Sequence, residues 1–267
     1  MKKLIIVSDF ASDPLYQQQM RSMVEGFVKD PVGISISFVY ACSIIEFAYI
    51  LATLSQTEEE YGRPLETVIL QHLSLNLYSQ NVLSITDTNP FILRLQSGLY
   101  VIGTNASYNF SLIKSKIDEI YEYTNLIDEE RKDIKELFAR LSAHLMDSME
   151  DEMDLDESHT NKIPELFDLY VGHIDSLGNI ETTIQVETLK EFLGVTNNLE
   201  VSINGIKNRV LITENLEILR DHMLMYCPRL LNKGNPYYKI INVQLSRSAA
   251  QAFKYPKPGD KIYFNKR

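Results

Sequence analysis

Four consecutive apolar residues, Leu4 to Val7, stop abruptly at Ser8-Asp9. A run of that length ending in polar residues predicts a strand buried on both faces. Met20, Met23, Val24, Phe27 and Val28 recur at helical spacing behind it, and Asp13-Pro14 predicts the N-cap and first position of that helix. This unit puts a carboxylate, Asp9, at the carboxyl end of a parallel strand just ahead of a helix. Open α/β sheets bind ligands at such places. The same carboxylate is equally suited to capping or hydrogen-bonding the turn.

The pattern repeats along the first half. Ile34 to Tyr40 predicts a second strand, and Ser43 to Glu46 has the form of a capping box ahead of a helix that carries Phe47, Ile50, Leu51 and Leu54 on its apolar side. Thr67 to Leu70 begins a third strand, Val82 to Ile85 offers a fourth and Gly98 to Ile102 a fifth. Strands separated by helices predict an α/β domain with a mostly parallel sheet flanked by helices. From about Ser111 to Asp154 the chain reads as helical and acidic, with Leu137, Phe138, Leu141, Leu145 and Met149 on one face. The charge run from Glu150 to Glu157 lacks the central glycine and ligand spacing of a calcium loop, and reads as a solvated helix end or linker.

A domain boundary is placed at about residue 160, dividing an α/β domain (1–160) from a C-terminal domain (161–267) with other punctuation. Leu169–Ile174 and Ile180–Ile184 predict strands around the turn Asp175 to Asn179. Leu199–Ile203 and Val210–Ile212 flank Asn204-Gly205, read as a hairpin with a longer loop. Tyr237–Leu245 and Lys261–Phe264 add two more strands, with a helical turn at Ala249–Phe253 and a chain reversal at Pro258-Gly259-Asp260. Short strands with frequent turns predict a small antiparallel β-domain, barrel-like or a sandwich.

Bulk properties narrow the partners. The formal charge of −10 argues against nucleic acid or an anionic membrane as the main partner. The two cysteines, Cys42 and Cys227, lie far apart in apolar surroundings and read as reduced core residues of a cytoplasmic protein. The opening apolar run is short for a signal peptide, and no window is long enough to span a bilayer. The five histidines show no metal-ligand spacing, and there is no phosphate loop or nucleophile elbow. What remains is a pair of strand-end carboxylates, Asp9 and Asp175, with the amide of Asn179 beside the second. A carboxylate can accept two hydrogen bonds from a ribose diol or pair with an ammonium, and an amide suits a base edge. Turn formation alone also accounts for Gly178 and Asn179.

These segments, in this order, resemble the S-adenosylmethionine hydroxide adenosyltransferases and their halogenase relatives. Ser8-Asp9-Phe10-Ala11 stands where that family has Thr/Ser-Asp-Phe/Leu-Gly, with Tyr16 and Met20-Arg21 at the family spacing. Ile45 to Leu51 is similar to the helix after the family's second strand, and Gly98 to Ile102 to the strand before its Asp-Asn-Gly loop. Glu136 to Ala139 with Ala143-His144-Leu145 resembles its Asp-Val-Phe-Ala…Ala-His-Leu helix. Ile174 to Asn179, Ser248-Ala249-Ala250 and Pro258-Gly259-Asp260 resemble its second-domain motifs.

The resemblance implies a homotrimer that takes S-adenosylmethionine, or its adenosine portion, between one subunit's first domain and a neighbour's second. It implies no separate cofactor and no metal. Asp9 would hold the ribose hydroxyls with Phe10 beside it. Asp175 and Asn179 would contact the methionine or adenine portions, Leu177 would stand at an aromatic position, and Arg247 and Ala249 would lie on the adenine side. The implied reaction is nucleophilic attack at ribose C5′, giving adenosine and methionine when water attacks. The family activates water with an Asp, an Arg and a His; here Ser74, Asn81 and Asp133 stand in their places, leaving Ser74 and Asp133 as catalytic candidates. Asn105-Ala106-Ser107 replaces the Asp-Asn-Gly loop. A silent binding protein and a trimeric interaction protein without a ligand are therefore expected alternatives to a hydrolase.

Overall fold

The computed structural model describes residues 2–74, 89–124, 134–185, 189, 198–213, 223–226, 237–242 and 247–265. The chain divides into two compact units, Met1–Glu165 and Leu166–Arg267. No helix among the described residues is long and apolar enough to cross a membrane.

In the first unit, β1 (Lys2–Ser8), β2 (Ile34–Tyr40), β3 (Thr67–His72), β4 (Pro90–Leu95), β5 (Tyr100–Thr104), β6 (Ile117–Glu122) and β7 (Asp156–Glu157) form a sheet in the order β2-β1-β3-β5-β4-β6-β7. The pairs among β2, β1, β3 and β5 are parallel, whereas those of β4 with β5, β4 with β6 and β6 with β7 are antiparallel. The sheet is thus mixed, not mostly parallel as expected. The difference arises at β4 and β6, which pair directly with each other in a stretch where the sequence pattern predicts no strand or a helix. Residues 111–154 are correspondingly not one helical region: a 3-10 turn at Ser111–Lys116 leads into β6, and the long helix of the described residues is Ile134–Met146. The expected strand at Val82–Ile85 lies outside the described residues.

Among the described residues of this unit, helices α1 (Pro14–Phe27), α2 (Ile44–Tyr61) and α3 (Ile134–Met146) accompany the sheet. Leu4 and Ile6 of β1, with Val68 and Leu70 of β3, pack on one face against Met20 and Val24 of α1 and Leu137, Phe138 and Leu141 of α3. Their neighbours in sequence point the opposite way because strand side chains alternate. Gln71 marks that second face, where its amide donates to the carbonyl of Phe47 in α2. α1 starts as its sequence predicts: Asp13 accepts from the Leu15 amide at 2.9 Å, with Pro14 next. At α2, Ser43 accepts from the Glu46 amide, but the Glu46 carboxylate turns to the amide of Cys42 instead of completing a capping box. Cys42 itself is exposed and not in the core as expected, because it lies in the short connection ahead of α2. Cys227 lies outside the described residues.

The second unit is a nearly closed barrel-like sheet: β8 (Val171–Ile174), β9 (Ile180–Gln185), β10 (Asn198–Ile203), β11 (Ile206–Ile212), β12 (Met223–Tyr226), β13 (Tyr237–Asn242) and β14 (Ile262–Asn265), in the order β14-β10-β11-β12-β13-β9-β8. Pairing is antiparallel except between β11 and β12. The ends of the order approach each other through hydrogen bonds from Val171 N to Asp260 O and from Ile262 N to Leu169 O. Leu199, Val201, Ile203, Val210 and Ile240 fill the interior together with Ala249, which opens the short helix α4 (Ala249–Ala252), and Phe253, which follows it. Asn204 and Gly205, both with positive φ, form a two-residue turn between β10 and β11. The longer loop expected there is absent, since this backbone twist matches the strands directly.

Candidate functional site

β1 delivers Asp9 to the carboxyl edge of the parallel part of the sheet, beside the ends of β2 and β3, which are in register at Tyr40 and His72 with Ser8. Asp9 is half-buried. Its Oδ1 accepts from the backbone amide of Ser74 at 3.0 Å, tying the end of β1 to the segment leaving β3. Its Oδ2 has no hydrogen bond among the described residues. Phe10, 42% exposed, stands next to it.

Beneath Phe10 lies an aromatic cluster. The Phe10 ring is 5.6 Å from that of Tyr16 and 5.9 Å from that of His72. Tyr16 and His72 are 5.5 Å apart, Phe138 of α3 abuts His72 edge-on, and Arg21 stacks over Phe38, itself against Tyr16. The Tyr16 hydroxyl lies 2.8 Å from His72 Nδ1. Burial pushes the Tyr16 phenol well above its ordinary range; a hydrogen bond from Ser8 works against this, and the charge of Asp9 adds to it. Ser8 Oγ in turn accepts from the Phe10 amide.

The loop after β5 reaches the same sheet edge. Asn109, fully buried, holds it by accepting from Ala106 N and donating to Thr104 O and Gln71 Oε1. Asn105 donates to the Lys162 carbonyl, and Ser107 sits at positive φ.

In the second unit, Asp175, Leu177 and Asn179 share one turn between β8 and β9. Asp175 Oδ1 accepts from the amides of Leu177 and Asn179, both at 2.9 Å. Its Oδ2 accepts from the Asn179 side chain at 2.8 Å and from Lys239 Nζ of β13 at 2.6 Å; Lys239 also reaches Glu181. Partial burial works to raise the Asp175 pKa, but the bonds from Lys239 and Asn179 overcome it and hold it down at about 2. Opposite this turn, Ala250 N donates to Gly178 O, so the Ser248–Ala250 segment and the Asp175–Asn179 turn meet. Gly178 has φ +74°, and a Cβ there would come within 2.5 Å of Ser248 Oγ. Leu177 is 77% exposed, Arg247 is exposed and Ala249 is fully buried.

The expected site residues therefore fall into two groups. Asp9, Phe10 and Ser74 come together at one sheet edge; Asp175, Leu177, Asn179 and Ala249 come together at one end of the barrel, with Arg247 two residues before Ala249. Asp133 and Asn81 lie outside the described residues. Lys239 is a partner that sequence reasoning missed, since nothing near it in the chain announces Asp175. His72 was legible only through its alternation with Val68 and Leu70, which puts it on the face of α1 and α3. No group of three or more His, Cys, Asp or Glu side chains among the described residues is placed to hold a metal ion.

No protein-family model matches the chain, and no curated protein matches it in sequence. Its fold does match solved structures. The crystal structure of an uncharacterized conserved protein from Thermotoga maritima aligns with TM-score 0.69 at 15% identity, covering 98% of this chain and 100% of that one. That of a conserved hypothetical protein from Thermus thermophilus aligns with TM-score 0.62 at 13% identity, covering 99% and 100%. At these identities the likeness establishes a shared architecture across both units and nothing about activity.

Proposed function

We propose that this protein binds S-adenosylmethionine through Asp9 and acts, in the cytoplasm, as an S-adenosylmethionine hydrolase of the adenosyltransferase type, releasing adenosine and methionine. The observation that carries the reading is the half-buried Asp9 carboxylate. One of its oxygens is fixed by the Ser74 amide, and the other has no hydrogen bond among the described residues. A ribose diol supplies two donors to such an acceptor. Phe10 offers an exposed aromatic face beside it.

In this reading water attacks ribose C5′, the C5′–S bond breaks, methionine leaves as a neutral thioether from the cationic sulfonium, and the attacking water gives up one proton to solvent. The protein's contribution is to align the attack and keep bulk water out, which can lower a barrier by several kcal/mol. Ser74 is a catalytic candidate in the described site, and Asp133 is proposed as the second. Leu177 and Arg247 are the exposed side chains the second unit offers to a ligand, while Asp175 and Asn179 hold the turn that presents Leu177. Assembly as a homotrimer, with a neighbouring copy supplying the second-unit residues, belongs to the same proposal.

A second reading, binding without turnover, is favoured by one observation. The groups gathered beneath Phe10 are mainly aromatic, and the Tyr16 hydroxyl and His72 Nδ1 are engaged with each other. Calorimetric titration with S-adenosylmethionine and with adenosine, followed by chromatographic assay of adenosine release, separates the two. Binding with release supports the hydrolase, and binding alone supports the silent protein. Absence of both overturns the proposal.

A further inference from the structure

The sheet of the first unit has two edges, and they are built differently. At one, β7 is two residues long, and both, Asp156 and Glu157, are exposed carboxylates. Shortness and charge are means by which soluble proteins keep an edge strand from pairing with another chain. At the other edge, β2 runs for seven residues, Ile34-Ser35-Ile36-Ser37-Phe38-Val39-Tyr40, with no charge, no proline and no break in its register with β1. Among the described residues nothing pairs with its outer side.

Which groups this edge leaves open follows from one bond. Ala41 N donates to Ser8 O at 3.3 Å, so Ala41 directs its amide towards β1. Successive residues of a strand direct their backbone groups to opposite sides. Tyr40, Phe38, Ile36 and Ile34 therefore point their amides and carbonyls away from β1. Arg21 of α1 stacks over the Phe38 ring, above the sheet and not in line with that row.

We propose that β2 is an interaction surface for a second copy of this chain, the two strands pairing antiparallel about a two-fold axis at Ser37. The strand is self-complementary in that register, which uses all of its residues. Ile34 meets Tyr40 and Ile36 meets Phe38, so each residue with outward backbone groups faces another, and each such pair exchanges two hydrogen bonds. Ser35 meets Val39, and Ser37 meets its own copy. Apolar, aromatic and hydroxyl side chains are thus set opposite one another with no like charges opposed, as pairing strands require. One continuous sheet then runs through both copies. This interface is separate from the threefold assembly proposed above and needs no ligand: together they give a dimer of trimers, and β2 pairing alone gives a dimer.

The test is the mass of the full-length protein by light scattering during gel filtration, alone and as Ser37→Lys, which sets two ammonium groups against each other at the axis. The charge of −10 on each copy opposes association, so the measurement is made at about 0.15 M salt, where repulsion is screened over about 8 Å. Ser37 is exposed, and the substitution spares the core of a single copy. The parent is expected to be an even-numbered assembly, and Ser37→Lys to halve its mass. A monomeric or trimeric parent, or a Ser37→Lys mass equal to the parent's, overturns the proposal.

Should Ser37→Lys not fold, Ser37→Cys replaces it. Directly opposed residues outside the hydrogen-bonded pairs have Cα atoms about 4.5 Å apart, within the reach of a disulfide. Mild oxidation is therefore expected to cross-link Ser37→Cys into a covalent dimer, with the bond mapped to position 37 by mass spectrometry. Ser35→Cys, which faces Val39, is expected to give no such bond at position 35. No cross-link at position 37, or an equal one at position 35, overturns the proposal.

Discussion

The carboxylates of Asp9 and Asp175 occupy matching places, each just past the end of a strand, yet their surroundings differ. Asp175 gives both oxygens to its own neighbourhood: two backbone amides, the Asn179 side chain and the Lys239 ammonium. Among the described residues, Asp9 gives one oxygen to a single distant amide. A carboxylate surrounded by donors from its own chain stabilises the fold and has little left for a ligand. One held at a single point is positioned without being saturated. This contrast, more than strand-end location, singles out Asp9.

The sharpest way to break the comparison is Asp9→Ala. Hydrogen bonds to a charged acceptor contribute about 1.5–3 kcal/mol each, so losing two should weaken adenosine binding by roughly 100-fold or more in calorimetry. The fold should lose about 1.5–3 kcal/mol by denaturant titration, for the Ser74 bond. A mutant that binds like the parent removes Asp9 from the site.

Asp175→Ala should show the reverse. It leaves Lys239 with Glu181 alone and orphans the turn amides, at a cost of about 3 kcal/mol in chemical denaturation. Gly178→Ala should come next, at about 2 kcal/mol in thermal unfolding, from the left-handed backbone and the clash with Ser248.

The smallest effect is a pH step. The Asp175 pKa is depressed in the folded state to about 2. Its contribution is therefore fully present above the unfolded value of about 3.9 and disappears as pH falls towards 2. A shift of that size corresponds to about 2.6 kcal/mol at most, which solvent screening of the partly exposed carboxylate lowers to about 2 kcal/mol or less, and Asp175→Asn should flatten the step in acid-unfolding curves.

Much of this was written locally in the chain. The apolar run of β1 and the Asp13-Pro14 start of α1 are short-range signals, and each predicts the element seen. β6 was not legible. Ile117, Ile120 and Tyr121 recur at helical spacing among acidic residues, and only pairing with β4 makes them a strand. The same holds for the site. Both carboxylates could be placed at strand ends, but what distinguishes them arrives from 65 residues away at Asp9 and 64 at Asp175. Tyr16 and His72 likewise meet across 56 residues. Contacts of that separation leave no periodic trace in a single sequence.

The seam of the second unit has a further consequence. Leu169 and Val171, close to where that unit begins, are bonded to Ile262 and Asp260, close to its end. During synthesis the ring stays open until those late residues emerge, so its β-edges are bare for most of translation. The adjacency of the two ends also makes the unit a candidate for circular permutation, with a peptide bridging the seam and new termini cut at the Asn204-Gly205 turn.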